Sequence, residues 1–502
     1  MSDALDGLVL LLQLKPLLFL VAGVLAGIVV GAVPGLTTTM SIALLLPFTF
    51  VFDPLDGIAL LLGLYFASVY SGSIPAILLR MPGTPAAAAT LLDGYPMAQR
   101  GEGGKALTVS LVASTLGGLV GGVLLLFFAP TLAGYALEFG PAEFFMLSVF
   151  ALALIASMSE GQMVKGVLSG LLGLLIATVG IDPIGGYPRF TFGSNDLLAG
   201  LGFIPVLIGL FGVAEALLRF ESAVSARGAA QTTGLGSFRL SGTDLRRITP
   251  ATVYSSFIGF VVGVLPGTGG DIGSFVAHNE SKRLARDKSL FGKGDMRGVA
   301  AAESANNSAV PGSIAPTLVL GIPGNSAAAV LLGALTVHGL QPGPQLLTGS
   351  GDLVYAIFWA LILIPLVMLV VGLAGIRLWG QVTRIPTRFL WPTILAVSTV
   401  GAYAVRGTGV DVIVMVAAGI LGYLMIKNGF PPAPLVIGLI VGPIAETGFR
   451  RATIIEGGSY AWLLQPIPLV LLALSLLTVV TALVRSRRLS VAARAERETP
   501  VG

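Results

Sequence analysis

Apolar residues run along this chain in blocks separated by short polar turns, and the blocks fall into two lengths. Runs of about 20 residues, among them 57–79, 106–129, 197–218 and 353–378, can cross a hydrocarbon core roughly 30 Å thick as helices. Runs such as 38–52, 86–92, 272–276 and 327–335 are too short to cross alone. The short runs adjoin four Pro-Gly sites: Pro34-Gly35, Pro82-Gly83, Pro266-Gly267 and Pro323-Gly324. A segment that breaks inside a bilayer leaves backbone groups unpaired, which is tolerated only where protein or a water-filled cavity receives them. The pattern predicts an all-α fold, a polytopic transmembrane helical bundle of about 11–15 membrane segments with re-entrant hairpins or broken helices.

The breaks recur in order. VVGAVPG at 29–35 matches VVGVLPG at 261–267, and GSIPAILLRMPG at 72–83 matches GSIAPTLVLGIPG at 312–324 with one extra residue. PVLIGLFGVAEALLR at 205–219 matches PLVIGLIVGPIAETGFR at 434–450. Matches in one order at a nearly constant offset predict two structural repeats, a habit of secondary transporters.

Charge decides whether the repeats are inverted. Arg485, Arg487, Arg488, Arg494 and Arg497 place the C-terminus in the cytoplasm, and Arg227, Arg239, Arg246 and Arg247 place the linker there. Lys282, Arg283, Arg286, Lys288, Lys293 and Arg297 put the charged loop on that side too. The equivalent first-half segment, 53–56, has no basic residue. Arg377, Arg384 and Arg388 repeat the contrast against 130–141.

The predicted organisation is an N-terminal interfacial segment (1–16), a first repeat (17–219), a cytoplasmic linker (220–250) and a second, inverted repeat (251–451). A final helix (452–485) and a cytoplasmic basic tail (486–502) follow, and the N-terminus falls on the periplasmic side. Arg450 and Arg451 run against the charge rule.

Composition agrees. Of 502 residues 55% are hydrophobic and 11% charged, with mean hydropathy +0.91, so the chain is an integral membrane protein. Its 67 glycines and 30 prolines, in an apolar chain, indicate close helix packing and broken helices. There is no cysteine, hence no disulfide or thiolate metal site. The net charge of +4 orients the loops and does not mark a nucleic-acid surface. No G-x-x-x-x-G-K-S/T phosphate loop and no H-E-x-x-H zinc site occurs, so neither ATP hydrolysis nor zinc chemistry is encoded.

Candidate chemistry sits at the breaks. One Pro-Gly site alone reads as a kink; four, paired by the repeat and each followed by small polar residues, read as binding elements. A helix start facing a cavity offers free N–H groups and partial positive charge, which suit a carboxylate. Carbonyls ending the preceding piece suit Na⁺. A polar run at 303–308, with Glu303, Ser304, Asn306 and Asn307, lies in an otherwise apolar helix. Its side chains either bond between helices or touch the transported species. His278 and His338 have no second histidine at ligand spacing and read as loop or packing residues.

Several long stretches resemble one family. They are GAVPGLTTTMSIALLLPFTF at 31–50, YSGSIPAILLRMPGTPAAAATLLDGYPMA at 70–98, LPGTGGDIGSFVAHNESKR at 265–283, and FGKGDMRGVAAAESANNSAVPGS at 291–313. LGIPGNSAAAVLLGAL at 320–335 and GYLMIKNGFPPAPLVIGLIVGPIAETGFRRA at 422–452 complete the set. The chain resembles, over almost its whole length, the large membrane subunit of tripartite tricarboxylate transporters, the TctA family. His278-Asn279 and Ala302-Glu303 stand where the family pattern has Ala-Tyr and Pro-Glu.

The resemblance implies a permease of the bacterial inner membrane, and not an enzyme. It would work with a small four-helix membrane subunit and a periplasmic substrate-binding protein that delivers citrate or another organic carboxylate. Uptake would be symport driven by Na⁺ or H⁺, with no cofactor. On this reading Gly35, Thr37, Thr38, Gly83 and Thr84 line the anion site from the first half. Gly267, Thr268, Gly269, Gly324, Asn325 and Ser326 line it from the second. Ser304, Asn306 and Asn307 add side-chain contacts, and Gly83, Thr84, Gly324 and Asn325 are candidate Na⁺ contacts. By analogy with other inverted-repeat carboxylate carriers, a scaffold part and a mobile transport part are expected. Two alternatives stay open: a self-sufficient carboxylate carrier or antiporter, and a membrane-embedded hydrolase using Asp271.

Overall fold

A computed structural model of the chain describes residues 2–157, 163–222, 235–266, 269–343, 345–382 and 387–481. Gly267, Thr268, Arg227, Arg384 and the basic tail lie outside the described residues. The first half runs through α1 (Ser2–Leu11), α2 (Leu14–Ala32), α3 (Thr38–Leu45), α4 (Pro54–Ser71), α5 (Ser73–Leu79), α6 (Ala87–Gln99) and α7 (Gly103–Ala136). It continues through α8 (Pro141–Ser157) and α9 (Met163–Ala177), a strand pair β1 (Gly180–Ile181) and β2 (Pro188–Arg189), then α10 (Phe203–Leu207) and α11 (Ala214–Ser222). The second half holds α12 (Gly242–Val264), α13 (Gly269–Leu284), α14 (Met296–Leu320), α15 (Ser326–Val337), α16 (Leu346–Gly349) and α17 (Gly351–Val382). It closes with α18 (Thr387–Arg406), α19 (Gly409–Lys427) and α20 (Pro432–Ile455). Among the described residues, 8 helical segments are long and apolar enough to cross a membrane. The fold is the expected polytopic helical bundle.

The helices gather into two compact units, each drawn from both halves of the sequence. One comprises Met1–Gly134 and Glu215–Ala404, the other Tyr135–Ala214 and Val405–Gly502. All four Pro-Gly sites belong to the first unit.

Two of the breaks are hairpin tips. Lys15, at the start of α2, pairs with Asp53 (2.5 Å) and Asp56 (2.9 Å), which lie beyond the end of α3. The Phe19 and Phe52 rings meet at 4.5 Å. The chain therefore goes in along α2, turns at Pro34-Gly35 with Gly35 at φ +93°, and comes back to where it started. The second hairpin is α12 with α13. Gly273 on α13 lies beside Gly259 and Val262 on α12, and Arg247 near the start of α12 reaches Asp295 beyond α13 at 3.6 Å.

The other two breaks lie within segments that pass through. α4 begins at the Lys15 end, where Asp56 is bound, and α6 finishes at the Asp295 end. There Asp93 Oδ1 accepts the backbone N–H groups of Gly292 (2.8 Å), Gly294 (2.9 Å) and Asp295 (2.8 Å). α14 starts at that same end, capped by Asp295. α15 leads to His338, whose Nε2 lies 3.0 Å from Thr49 Oγ1 at the Lys15 end. Within this unit the two repeats thus run in opposite senses.

Local bonding repeats as well. The N–H groups of Arg80 and Met81 both turn back to the Pro75 carbonyl, with Arg80 left-handed at φ 58°. The N–H groups of Gly321 and Ile322 do the same to Pro316, with Gly321 at φ 68°. This is an αL helix stop, and in both cases the chain then folds back, Gly83 N–H reaching Gly72 O at 3.0 Å.

Packing follows the glycines. A Cβ on Gly23, Gly27 or Gly31 of α2 would sit 2.1–2.5 Å from backbone oxygens of α4 or the Ser71 hydroxyl, and one on Gly259 or Gly263 of α12 would strike Ala305 O or Ala309 O of α14 at 2.2–2.5 Å. Small residues four apart let backbones touch where apolar lipid gives no net drive to associate.

The second unit packs by the same rule, Gly173 on α9 against Leu435 of α20, and Gly209 against Met415 of α19. Its β1–β2 loop also accounts for Arg450. Arg450 donates to Asp182 (2.6 Å), and Arg189 bridges Asp182 (3.2 Å) and Glu446 (2.5 Å). The Gly185 and Ile184 amides, aided by Arg450, hold the Asp182 carboxyl down to about 2. The Arg450 charge that contradicts the topology rule is spent on a local ion network.

The hairpin reading of Pro34-Gly35 is checked by cross-linking. In this cysteine-free chain, a Lys15→Cys/Asp53→Cys pair should be joined by a short bis-thiol reagent in native membranes. Failure to join while a Lys15→Cys/Asp93→Cys pair does would show that the segment passes through.

Candidate anion site at the helix breaks

α14 is buried from Gly298 to Val319, and α4 from Asp56 to Ser71 save Leu60. The polar run of α14 meets α4: Asn307 Nδ2 donates to Phe66 O at 3.2 Å, and Asn306 Nδ2 points to Val69 O at 3.5 Å. Asn307 Oδ1 is buried and has no hydrogen-bond partner. An amide oxygen left open at this depth is either a cost or a ligand group.

Around this pair the breaks assemble. α13 starts at Gly269 (φ +50°), and a Cβ there would lie 3.1 Å from Asn325 Cβ. A Cβ on Gly270 would lie 2.3 Å from Asn306 Oδ1. The tip of the second hairpin, the Pro323 break and the α14 amides therefore form one cluster. Glycine is required at 269 for the left-handed backbone and at 270 for the close approach.

Asn325 is its hub. Its Oδ1 caps α15 by accepting Ala328 N–H (2.8 Å), while its Nδ2 donates to Ser313 Oγ (3.0 Å) and to Tyr65 OH (2.8 Å). Tyr65 belongs to α4, and one turn later Ser68 Oγ donates to Thr38 Oγ1 at 2.9 Å. Thr38 is the first residue of α3, whose cap is Thr37, accepting Met40 N–H at 3.2 Å. So α4 joins the first hairpin to the Pro323 break. Three helix starts, those of α3, α13 and α15, come to α4 and α14 with their positive ends.

The Pro82 break lies next to this set. A Cβ on Gly83 would be 2.8 Å from both Gly31 O and Gly72 Cα, and Thr84 Oγ1 accepts Ala87 N–H at 3.3 Å just before α6. Thr84 with Ala87 and Asn325 with Ala328 make the same side chain to backbone contact three residues on, though only Asn325 is a helix cap. Gly324 donates to Thr317 Oγ1 at 3.3 Å, and Ser326 opens α15, half-buried. Gly35 lies against the Arg219 side chain, which pairs with Glu215 at 2.8 Å. Ser304 is placed apart from the cluster, its Oγ bonding back to Ala301 O at 3.3 Å and its backbone under Gly117 of α7.

Sequence reasoning missed Tyr65, Ser68 and Ser313. Their signal was present: hydroxyls at 65 and 68 share one face of an otherwise apolar helix. His338 packs against Thr49, Asp93 closes the charged loop through three backbone amides, and His278 Nε2 stands 2.7 Å from Asp93 Oδ2.

Antiparallel broken segments within a polytopic helical membrane protein, their polar starts gathered on two central helices, are the architecture of secondary transporters. The chain belongs to the tripartite tricarboxylate transporter TctA family, whose description matches residues 17–437. An Agrobacterium vitis protein named "Uncharacterized 52.8 kDa protein in TAR-I ttuC' 3'region" is 38% identical over 468 residues, 93% of each chain. A second from the same organism, "Uncharacterized protein in TAR-II ttuC' 3'region", is 38% identical over 231 residues, 46% of this chain and 96% of that one. No solved structure matches.

Removing the hub tests the cluster. Asn325→Ala should destabilise the purified protein by about 1–2 kcal/mol, the range for a lost helix cap, read as a lower midpoint of thermal unfolding in detergent. Asn325→Asp, which keeps the cap, should recover part of it. An unchanged midpoint in the alanine variant would show that the cluster carries no stability.

Proposed function

We propose that this chain is the large permease subunit of a binding-protein-dependent, ion-gradient-driven uptake system for tricarboxylates or related organic carboxylates. The observation that carries the reading is the convergence of three helix starts on Tyr65, Asn306, Asn307 and Asn325, where N–H groups and amides suit a carboxylate without a fixed cation. Family membership supports the transport class and the need for two partners, a small membrane subunit and a periplasmic binding protein.

In this proposal the chain resides in the bacterial inner membrane. The Asp295 end of the first unit, with the linker and charged loop, faces the cytoplasm, and the Lys15 end faces the periplasm. The first unit is the transport part, since it holds every break, and the second is the scaffold. Carbonyls near Gly83, Thr84, Gly324 and Asn325 are where Na⁺ would bind if Na⁺ is the coupling ion. The chain performs no covalent chemistry.

Gly83→Leu and Gly324→Leu are the test, because each would push a side chain into Gly72 or Ser313. Uptake of labelled citrate by cells carrying the complete system should fall by about 100-fold, the cost of misplacing a site by an ångström. Membrane insertion, read by immunoblot, should be unchanged. Normal uptake by either variant would refute the assignment.

A further inference from the structure

Glu303 is not used by the anion site, yet it lies one turn before Asn306 and Asn307 on α14 and is fully buried. Its two oxygens are held by hydroxyls from two other helices. Thr90 Oγ1 of α6 is hydrogen-bonded to Oε1 and Ser114 Oγ of α7 to Oε2 at 3.0 Å, and either hydroxyl can turn to accept the O–H of a neutral carboxyl. Ser110, one turn earlier on α7, bonds Ser73 Oγ of α5 at 2.7 Å, so the pocket is walled by hydroxyls from three elements. Among the described residues no Lys, Arg or His is paired with Glu303. A carboxylate buried this completely, with no paired cation, is costly in its charged form.

We infer that Glu303 is the proton-carrying group that couples transport, neutral in the conformation described and ionised at another stage of the cycle. The inference rests on the transport reading above and names its coupling ion. Only an O–H bond forms and breaks: the proton is drawn from water on one side of the membrane and returned to water on the other.

Proximity to the anion supplies the coupling. An organic anion beside Asn306 and Asn307 would face an ionised Glu303 about one helical turn away, roughly 5 Å along the axis. Each negative charge disfavours the other, so anion binding and proton uptake favour one another, and by linkage the effect is reciprocal.

Toward the Asp295 end further polar groups follow. Thr90 and Asp93 are three apart on one face of α6. Asp93 Oδ2 lies 2.7 Å from His278 Nε2 on α13, and α14 is pressed onto that pair at Gly298, where a Cβ would be 2.0 Å from Asp93 Oδ2. The other titratable groups on this flank are Tyr70 on α4, close enough to interact with Glu303, Lys105 of α7 tied to Asp244 of α12 at 2.8 Å, and Tyr254 of α12 bonded to Ser281. Lys105 is held by its own carboxylate partner and Asp93 Oδ1 by three backbone amides, which leaves Asp93 Oδ2 with His278 Nε2 as the polar pair on this flank.

Reconstitution separates coupling from transport. The full chain, with its two partners, is placed in liposomes with trapped pyranine, and labelled citrate is the probe. Wild type should exchange citrate without a gradient, accumulate it under an imposed pH gradient, and acidify the lumen as it does so. Glu303→Gln should keep exchange within about threefold while losing gradient-driven accumulation at least about fivefold, the low end of ordinary coupling, with no lumen acidification. Glu303→Asp should retain accumulation with a displaced pH profile. A glutamine variant that still acidifies and accumulates like wild type overturns the inference and leaves the transport reading standing. So does one that loses exchange and accumulation alike at an unchanged melting temperature, or a wild type driven by Na⁺ with no proton movement. A wild type that neither exchanges nor accumulates citrate or any other labelled di- or tricarboxylate offered in its place overturns the transport reading, and this inference with it.

Discussion

A helix interrupted inside a hydrocarbon layer must have its loose N–H and carbonyl groups taken up by protein, because no water is there to do it. Much of the first unit can be understood from that requirement. The stops at Arg80 and Gly321 are closed by the same pair of N–H groups turning to a proline carbonyl, at Pro75 and Pro316. The restart at α15 is capped by Asn325, and Thr84 makes the corresponding contact to Ala87 just before α6. Glycines 31, 72, 83, 269 and 270 let the folded-back chain lie against neighbouring backbone or amide groups. What the bonding leaves over is a set of helix starts and one open amide oxygen on Asn307, near the crossing of α4 and α14.

That remainder is where function can be located. Groups that needed only structural satisfaction have found it: Asp93 is filled by three backbone amides, and Lys15 by Asp53 and Asp56. Around Asn325 the hydroxyls and amides are bonded to one another in a chain running from Ser313 to Tyr65, with Ser68 and Thr38 beyond it. The side chains of this network carry no formal charge, and Asp271 in the first turn of α13 is close enough to act on Tyr65. Glu303, one turn away, is the group proposed to carry the coupling proton.

Much of the fold was legible in the sequence because the constraint acts locally. The four Pro-Gly sites beside short apolar runs stop helical pieces, whereas Pro311-Gly312 stays inside α14; runs of apolar residues must span or dip into the bilayer, and matched strings at 29–35 and 261–267 fold alike. Whether a break is a tip or a mid-segment stop was not legible, since Pro34-Gly35 and Pro82-Gly83 look the same in one dimension. Long-range pairs decide it, Lys15 with Asp53 for one and Asp93 with Gly292 for the other. Tyr65 was hidden for a similar reason: its hydroxyl has meaning only once α4 is laid beside the Asn325 break. Ser304, chosen for its place in a polar run, sits on the α7 side of α14, because neighbours on a helix face different partners. Arg450 misled the charge rule because Asp182, 268 positions away, neutralises it.

The central claim is that an organic anion enters the cluster of helix starts around Asn325. Since the chain has no cysteine, a single Ser326→Cys substitution at the first residue of α15 reports on that place alone. The measurement is the rate at which a small charged maleimide labels this cysteine in liposomes carrying an active transporter, with and without saturating citrate. The account predicts that citrate slows labelling several-fold, while labelling of a control cysteine at Lys15 does not change. Equal rates at Ser326→Cys, with citrate uptake intact, would contradict it.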